Sequence, residues 1–103
     1  MSGANPVRGE AELVVGGERV VLRPSFEALV AAEAELGSLF ALVERAAEGR
    51  LLLSETIALF WHCLREPDGV TREQVGAAVA AAGLARTAPV LKRLLRQILD
   101  GAV

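Results

Sequence analysis

Glycine and proline residues divide the chain into short segments, and their positions constrain its fold more than any other feature of the sequence. The pair Gly16-Gly17 separates two short apolar segments, 11–15 and 18–23. Adjacent glycines permit the positive φ angles of a two-residue hairpin turn, because they carry no Cβ atom. The two segments are therefore predicted to pair as antiparallel strands.

The turn also determines which residues of the two strands face each other. Counting outward from the glycines, Leu13 lies opposite Val20 on the face predicted to be buried. Glu10 lies opposite Arg23 on the face predicted to meet solvent. A two-stranded hairpin alone is only marginally stable in water. Either the helices cover its apolar face, or it joins the hairpin of a neighbouring copy in a larger sheet.

Beyond Pro24 the apolar residues recur at helical spacing, and capping residues mark where helices begin. Serine and threonine accept hydrogen bonds from the free N–H groups of a first turn, whereas glycine ends helices. Five helices are predicted: from Ser25 to Gly37, from Ser38 to Gly49, from Ser54 to about Arg65, from Thr71 to Gly83, and from about Ala88 to Asp100. The prediction is an α+β fold that is mostly α, in a single domain over 1–103, with the hairpin at 8–23 and the helices at 25–100.

Charge and composition exclude several classes of protein. The 103 residues include eleven basic and thirteen acidic side chains, which gives no electrostatic case for nucleic-acid binding. No apolar run approaches the roughly 20 residues of a membrane span, and the first dozen residues lack the pattern of a signal peptide. The single cysteine cannot form an internal disulfide, which suits a reducing cytoplasm. We therefore expect a cytoplasmic protein that binds no membrane.

His62 and Cys63 are the only residues of their types, but their adjacency argues against a catalytic pair. Consecutive helical residues point about 100° apart, so the imidazole and the thiol cannot face each other. One histidine and one cysteine also fall short of the three or four ligands of a zinc site. No phosphate-binding glycine loop or G-x-S-x-G motif occurs. We expect no enzymatic activity, no catalytic residue, no metal and no cofactor.

Two helices carry more apolar residues than a surface helix of a small monomer needs. In the third helix these residues spread over about 200° of the helical wheel. That helix is either central or covers both its own core and a neighbouring chain. The last helix carries a stripe of leucines suited to packing on a partner helix. The candidate interface residues are Leu59, Phe60, Trp61, Cys63, Leu91, Leu94, Leu95 and Ile98.

Glu33 falls in an apolar stripe of the first helix, between Phe26 and Leu36 on the helical wheel. An isolated buried carboxylate costs several kcal/mol, so this side chain is expected to have a partner. It is a candidate for an ion pair with an arginine or for a contact with another chain. The candidate arginines are Arg19, Arg23 and Arg45.

The C-terminal segment is basic, with four cationic residues against Asp100 alone. The cations are Arg86, Lys92, Arg93 and Arg96. Such a face is usually solvated, and phosphate contact and packing on a partner helix are the alternatives. A helix-turn-helix regulator that uses residues 71–83 is a weaker hypothesis, because that helix offers only Arg72 and Gln74 for contacts with DNA.

Several short motifs occur together in the first 83 residues. They are NPVRGE at 5–10, VGG in the hairpin, SFEAL at 25–29, EAELGSL at 33–39, GRL at 49–51, LR at 64–65 and Thr71-x-x-x-Val75. In this combination the chain resembles the small tail protein of gene transfer agents, the phage-like particles of alphaproteobacteria. The resemblance covers about residues 5–83, and beyond them only a leucine-rich basic helix is shared.

The resemblance implies a protein that helps to build a non-contractile tail and has no catalytic residues. Such proteins are described both as tail tube components and as tail assembly chaperones. The chaperone role is favoured, because the tape-measure protein is long, helical and apolar and must stay soluble until tube subunits polymerise around it. The expected protein is a homo-oligomer in the cytoplasm of the producing bacterium, with the tape-measure protein and other tail proteins as partners. A tail tube component that stays in the particle is the alternative, although tube subunits usually need larger sheets that close into a ring.

Overall fold

A computed structural model describes residues 10–101, in which a β-hairpin precedes five helices. The strands are β1 (Ala11–Val15) and β2 (Glu18–Leu22), and the helices are α1 (Phe26–Leu36), α2 (Leu39–Ala47), α3 (Leu53–His62), α4 (Arg72–Ala82) and α5 (Leu84–Asp100). The predicted α+β, mostly α fold is confirmed. The start of the predicted hairpin segment at residue 8, and the motif residues 5–9, lie outside the described residues.

The hairpin has the predicted turn and the predicted register. Gly16 and Gly17 have φ angles of 59° and 83°, the positive values that a tight hairpin turn requires. Leu13 pairs with Val20 across the strands, and Leu13 is buried. Helices cover this face, which was one of the two ways to stabilise the hairpin.

Glu10 corrects the prediction of a fully solvated second face. Its side chain is 1% exposed, with the carboxylate oxygens 3.8 Å from Arg23 Nε and 3.6 Å from Arg65 Nη1. Arg65 reaches this position because the chain after α3 runs along the outer edge of β2. The second face of the hairpin is therefore partly covered by charged residues of the same subunit.

The same edge pairing ends α3 earlier than predicted. Leu64 forms a β-bridge with Leu22, flanked by hydrogen bonds from Arg23 N to Cys63 O (2.6 Å) and from Arg65 N to Val21 O (2.9 Å). These bonds need extended backbone, so α3 stops at His62 and does not continue to Arg65. This pairing joins residues some 40 positions apart in the sequence.

Most helix starts follow the predicted caps. Ser25 Oγ accepts from Ala28 N, and Ser38 Oγ accepts from Ala41 N, each at 3.2 Å. Thr71 forms the predicted capping box, in which Gln74 Oε1 accepts from Thr71 N at 2.8 Å.

Two predicted helix starts are wrong. Helix α3 begins at Leu53, one residue before Ser54, and the Glu55 carboxylate accepts from Leu52 N at 2.9 Å in place of a serine cap. Helix α5 begins at Leu84 and not at about Ala88, so Pro89 lies inside it. Because proline has no N–H to donate, it is common in the first turn of a helix. Pro89 therefore resembles a helix start, although one turn of α5 precedes it.

The core forms where the hairpin meets α3, α4 and α5. Its fully buried side chains include Leu22 of β2, Phe60 of α3 and Leu94 of α5. Helix α3 contacts both α1 and α4 and is the central helix of the subunit. Its wide apolar arc is explained by this central position, one of the two alternatives that the sequence left open.

Candidate interaction surface

Helix α1 buries two of its alanines and exposes two of its large apolar side chains. Ala28 and Ala32 are buried, and Ala32 is 0% exposed, where α1 packs on α3. Phe26 is 82% exposed and Val30 is 52% exposed. Alanines at a contact allow two helices to approach closely, so the packing favours them over the larger side chains. The exposed part of α1 therefore carries large apolar side chains, interspersed with glutamates.

Further large apolar side chains are exposed on the segments that follow α1. Phe40, in the first turn of α2, is 82% exposed, and Leu52 and Leu53 are exposed at the start of α3. Phe26 also borders an open depression that is lined in part by Leu64 and Pro67. We call Phe26, Val30 and Phe40 the α1–α2 surface. Large apolar side chains that a subunit leaves exposed are candidates for protein–protein contacts.

The eight interface residues predicted from the sequence lie elsewhere, and half of them are inaccessible. Leu59, Phe60, Cys63 and Leu94 are fully buried in the core of the subunit. On the surface of the single subunit they are not available to a partner, because α3 is central and α5 packs Leu94 inward. The other four are half-buried and pack against the core, namely Trp61, Leu91, Leu95 and Ile98.

Trp61 is covered by a polar cluster that joins α1, α3 and α4. The Arg72 guanidinium lies over the indole, 4.6 Å from its centroid. Arg72 also binds Glu35 through two hydrogen bonds of 2.6 and 2.9 Å, and His62 Nε2 lies 2.8 Å from Glu35 Oε1. The hydrogen bonds from Arg72 and then from His62 lower the pKa of Glu35 from 4.5 to about 2. Because the Arg72 guanidinium covers the indole, less of the Trp61 side chain is accessible to another chain.

His62 and Cys63 point in different directions, as predicted. His62 faces Glu35, whereas the Cys63 thiol is buried in the core. Burial raises the pKa of Cys63 to about 12. A thiolate is the reactive form of cysteine, so this thiol acts as a packing group.

Glu33 is exposed and caps the next helix. Its Oε2 accepts a hydrogen bond of 3.1 Å from Leu39 N, at the start of α2. Within residues 10–101 Arg23 pairs with Glu10 and Arg45 with Glu55, and Glu33 is seen in no ion pair; its contact with another chain stays a prediction. Because Glu33 itself is exposed, its carboxylate needs no charged partner.

The side chains offered for a DNA contact by α4 are engaged within the subunit. Arg72 binds Glu35, and Gln74 closes the capping box with Thr71. Both would have to leave their partners to reach a base or a phosphate. The structure gives the helix-turn-helix hypothesis no support.

The fold thus defines a small helical module with apolar side chains exposed on two neighbouring helices, and none of the helices within residues 10–101 is long and apolar enough to cross a bilayer. Exposed apolar side chains of this kind mark candidate contacts with other chains. The chain belongs to the family described as phage tail tube protein, GTA-gp10, whose profile matches residues 8–101. It is therefore a phage tail protein of the gene transfer agent type, which confirms the resemblance seen in its motifs. No curated protein and no solved structure matches the chain.

Proposed function

We propose that this protein is a tail assembly chaperone that binds the tape-measure protein and keeps it soluble before the tail tube closes around it. The observation that carries the proposal is the α1–α2 surface, where Phe26 and Phe40 are each 82% exposed. The tape-measure protein is expected to be long, helical and apolar. A chain of that kind needs an apolar surface to cover it while the tube is unfinished.

The geometry of α1 suits a helical partner. Phe26 and Val30 are four residues apart, so they lie on one face of the helix and form a ridge that a second helix can pack against. Full burial of a phenylalanine side chain contributes about 1.5–3 kcal/mol. Phe26 and Phe40 together can therefore support an affinity that is useful during assembly and still reversible.

The sheet supports a chaperone better than a tube wall. In the described part of the chain it consists of two five-residue strands and one β-bridge at Leu64. Closure into a ring requires each subunit to offer strands to neighbours on both sides. The outer edge of β2 is already occupied in part by Leu64, which leaves little sheet for that purpose.

Co-expression with the tape-measure protein tests the proposal. We expect the tape-measure protein to appear in the soluble fraction and to be retained by the tagged chain. Phe26→Ala is expected to weaken retention about tenfold to a hundredfold, because the lost burial is worth about 1.5–3 kcal/mol. No complex and no gain in solubility would overturn the proposal.

A matched pair of valines controls for nonspecific binding by exposed apolar side chains. Val30 and Val14 have similar exposure, 52% and 56%, but Val14 lies on β1. Val30→Ala is expected to weaken binding several-fold, whereas Val14→Ala leaves it unchanged. Equal losses in both variants would show that α1 is not the binding surface.

A structural role in the tail tube is the second candidate, and the description of the family favours it. In that case the chain is present in purified particles at a stoichiometric level. A chaperone that leaves before the particle matures is absent from them. Quantitative mass spectrometry of purified particles separates the two roles.

A further inference from the structure

The outer edge of β2 is paired along only part of its length. In a hairpin with a two-residue turn, alternate residues of a strand bond to the partner strand, and the others turn their N–H and C=O groups outward. At Val21 and Arg23 these outward groups bond to the segment 63–65. By the same alternation the N–H and C=O groups of Arg19 face the outer edge. Within residues 10–101 neither group is seen to bond to a neighbouring segment.

Pro67 is the reason that the segment 63–65 does not continue along this edge. Its antiparallel register places Leu64 opposite Leu22, so that further along the chain Pro67 would stand opposite Arg19. A residue at that position must donate its N–H to the Arg19 carbonyl group, and proline has no N–H to donate. The chain turns away instead, and Pro67 O accepts a hydrogen bond of 3.1 Å from Val70 N. The edge is therefore left open at Arg19.

A depression of about 490 Å³ lies along the open part of the edge, and we call it the β2-edge groove. One side is formed by residues 18–21 of β2, and the other by residues 65–68 and Val70. Val20 and Val70 both pack in part against the core. An extended chain placed in the groove would therefore find apolar contacts beside the free backbone groups of Arg19.

The rim of the β2-edge groove is acidic. Three carboxylates line it, those of Glu18, Glu66 and Asp68. Arg65, one of the two cations that line it, lies 3.6 Å from Glu10 Oε1 and 3.8 Å from Glu66 Oε1, so its charge is already balanced. Glu18 and Asp68 are exposed and are seen in no ion pair in the part of the chain that the structure describes. The rim therefore favours a basic ligand over an acidic or a purely apolar one.

We infer that the β2-edge groove binds an extended, basic segment of another protein, which adds to the hairpin as a strand beside β2. One residue of an antiparallel segment exchanges both backbone hydrogen bonds with Arg19, at the position where Pro67 cannot donate. The residue on one side of it lies opposite Val20 and is apolar. The residue on the other side lies opposite Glu18 and is basic.

A second copy of the chain does not suit this edge through its own β2. A twofold axis at Arg19 would place two arginines opposite each other, which is destabilising. An axis at Val20 would bring Glu18 of the copy against Leu22, where Leu64 already lies. The inference goes beyond the proposed function and does not rest on it, because the groove includes none of the residues of the α1–α2 surface.

Amide hydrogen exchange measured by NMR tests the inference with a capped heptapeptide of alternating lysine and valine as the probe. At a peptide concentration about ten times its Kd, the Arg19 amide of the wild-type chain is expected to exchange about tenfold more slowly. Val14 is the internal control, because it lies directly opposite Arg19 and turns its N–H to the outer edge of β1. Its exchange is expected to stay unchanged, and a peptide with glutamate in place of lysine is expected to protect neither amide.

Two proline variants test the backbone contact directly. Arg19→Pro removes the outward N–H and leaves the bonds between the strands in place, since proline is tolerated where an N–H points away from the sheet. It is expected to weaken peptide binding at least about tenfold in calorimetry. Val14→Pro makes the same change on the other edge and is expected to bind like the wild type. Arg19→Ala keeps the N–H and is expected to bind at least as tightly as the wild type.

A pair of charge variants tests the acidic rim without changing the backbone. Glu18→Lys/Asp68→Lys is expected to weaken peptide binding at least about tenfold. Glu44→Lys/Glu73→Lys has the same change in net charge at exposed positions on α2 and α4, and it is expected to retain binding. Circular dichroism of each variant verifies the fold, and the charge variants decide the matter if Arg19→Pro does not fold.

Three results would overturn the inference. They are an Arg19 amide that millimolar peptide does not protect, equal protection of Arg19 and Val14, and protection of Arg19 that grows with protein concentration in the absence of peptide, which would assign the edge to a second copy. The proposed function is tested separately. Phe26→Ala is expected to leave peptide binding unchanged, and Arg19→Pro is expected to retain the tape-measure protein.

Discussion

The inward orientation of the alanines in α1 can be tested by enlarging two of them. Ala32 is 0% exposed at the contact with α3, whereas Ala34, two residues further along, is exposed. Leucine and alanine differ little in helix propensity, so the same substitution at both sites isolates packing. Ala32→Leu forces a larger side chain into a closely packed contact and is expected to cost about 1–3 kcal/mol of unfolding free energy. Ala34→Leu is expected to change it by less than about 0.5 kcal/mol.

Urea unfolding followed by far-ultraviolet circular dichroism measures both effects, with thermal unfolding as a second assay. For a domain of this size each kcal/mol lowers Tm by about 4–8 °C. Ala32→Leu should therefore lower Tm by at least about 4 °C, with Ala34→Leu close to the wild type. Equal effects, or a larger loss for Ala34→Leu, would refute the orientation of α1 and with it the exposure of Phe26.

Two further predictions concern the core and the polar cluster. Leu94→Ala is expected to cost about 2–5 kcal/mol in urea unfolding, since the side chain is fully buried, and a loss below about 1 kcal/mol would contradict its place in the core. Glu35→Gln is expected to cost about 1 kcal/mol at neutral pH, a modest value because solvent screens a side chain that is 38% exposed. The folded pKa of Glu35, about 2, lies below the unfolded value of 4.5, so its contribution is complete above pH 4.5 and is lost as pH falls towards 2. A difference between Glu35→Gln and the wild type that persists at the acid end would contradict the ion pair with Arg72.

The features predicted correctly from the sequence are those that neighbouring residues determine. Gly16-Gly17 specifies its own turn and therefore the register of the strands on both sides. Ser25 and Thr71 cap helices through hydrogen bonds to residues three positions away. Such contacts involve few residues, so their pattern is visible in the sequence.

The features that were missed depend on contacts between distant segments. Helix α3 ends at His62 because Leu64 pairs with Leu22. The residues around His62 do not indicate this pairing. The start of the same helix was missed for a local reason, because Glu55 accepts from Leu52 N and the helix begins before Ser54.

The exposure of Phe26 and Val30 was not predicted, for a related reason. Helix α1 has apolar residues on more than one face, and hydrophobicity alone favours burying Phe26 over Ala28. Close packing against α3 favours the alanines, and this preference depends on the shape of α3 and not on the sequence of α1. The burial of Leu59 and Phe60 follows from the same packing, which makes α3 the centre of the subunit.

The alanine contact of α1 also affects how firmly this helix is held. Beyond Ala28 and Ala32, only Leu36 of α1 packs partly against the core, so little apolar area resists detachment of the helix. Segments with few buried apolar contacts open at a lower free energy than the rest of a domain. A partner that covers Phe26 and Val30 would bury additional apolar area on the outer side of α1. It would thereby raise the free energy needed to detach this helix above its value in the isolated subunit.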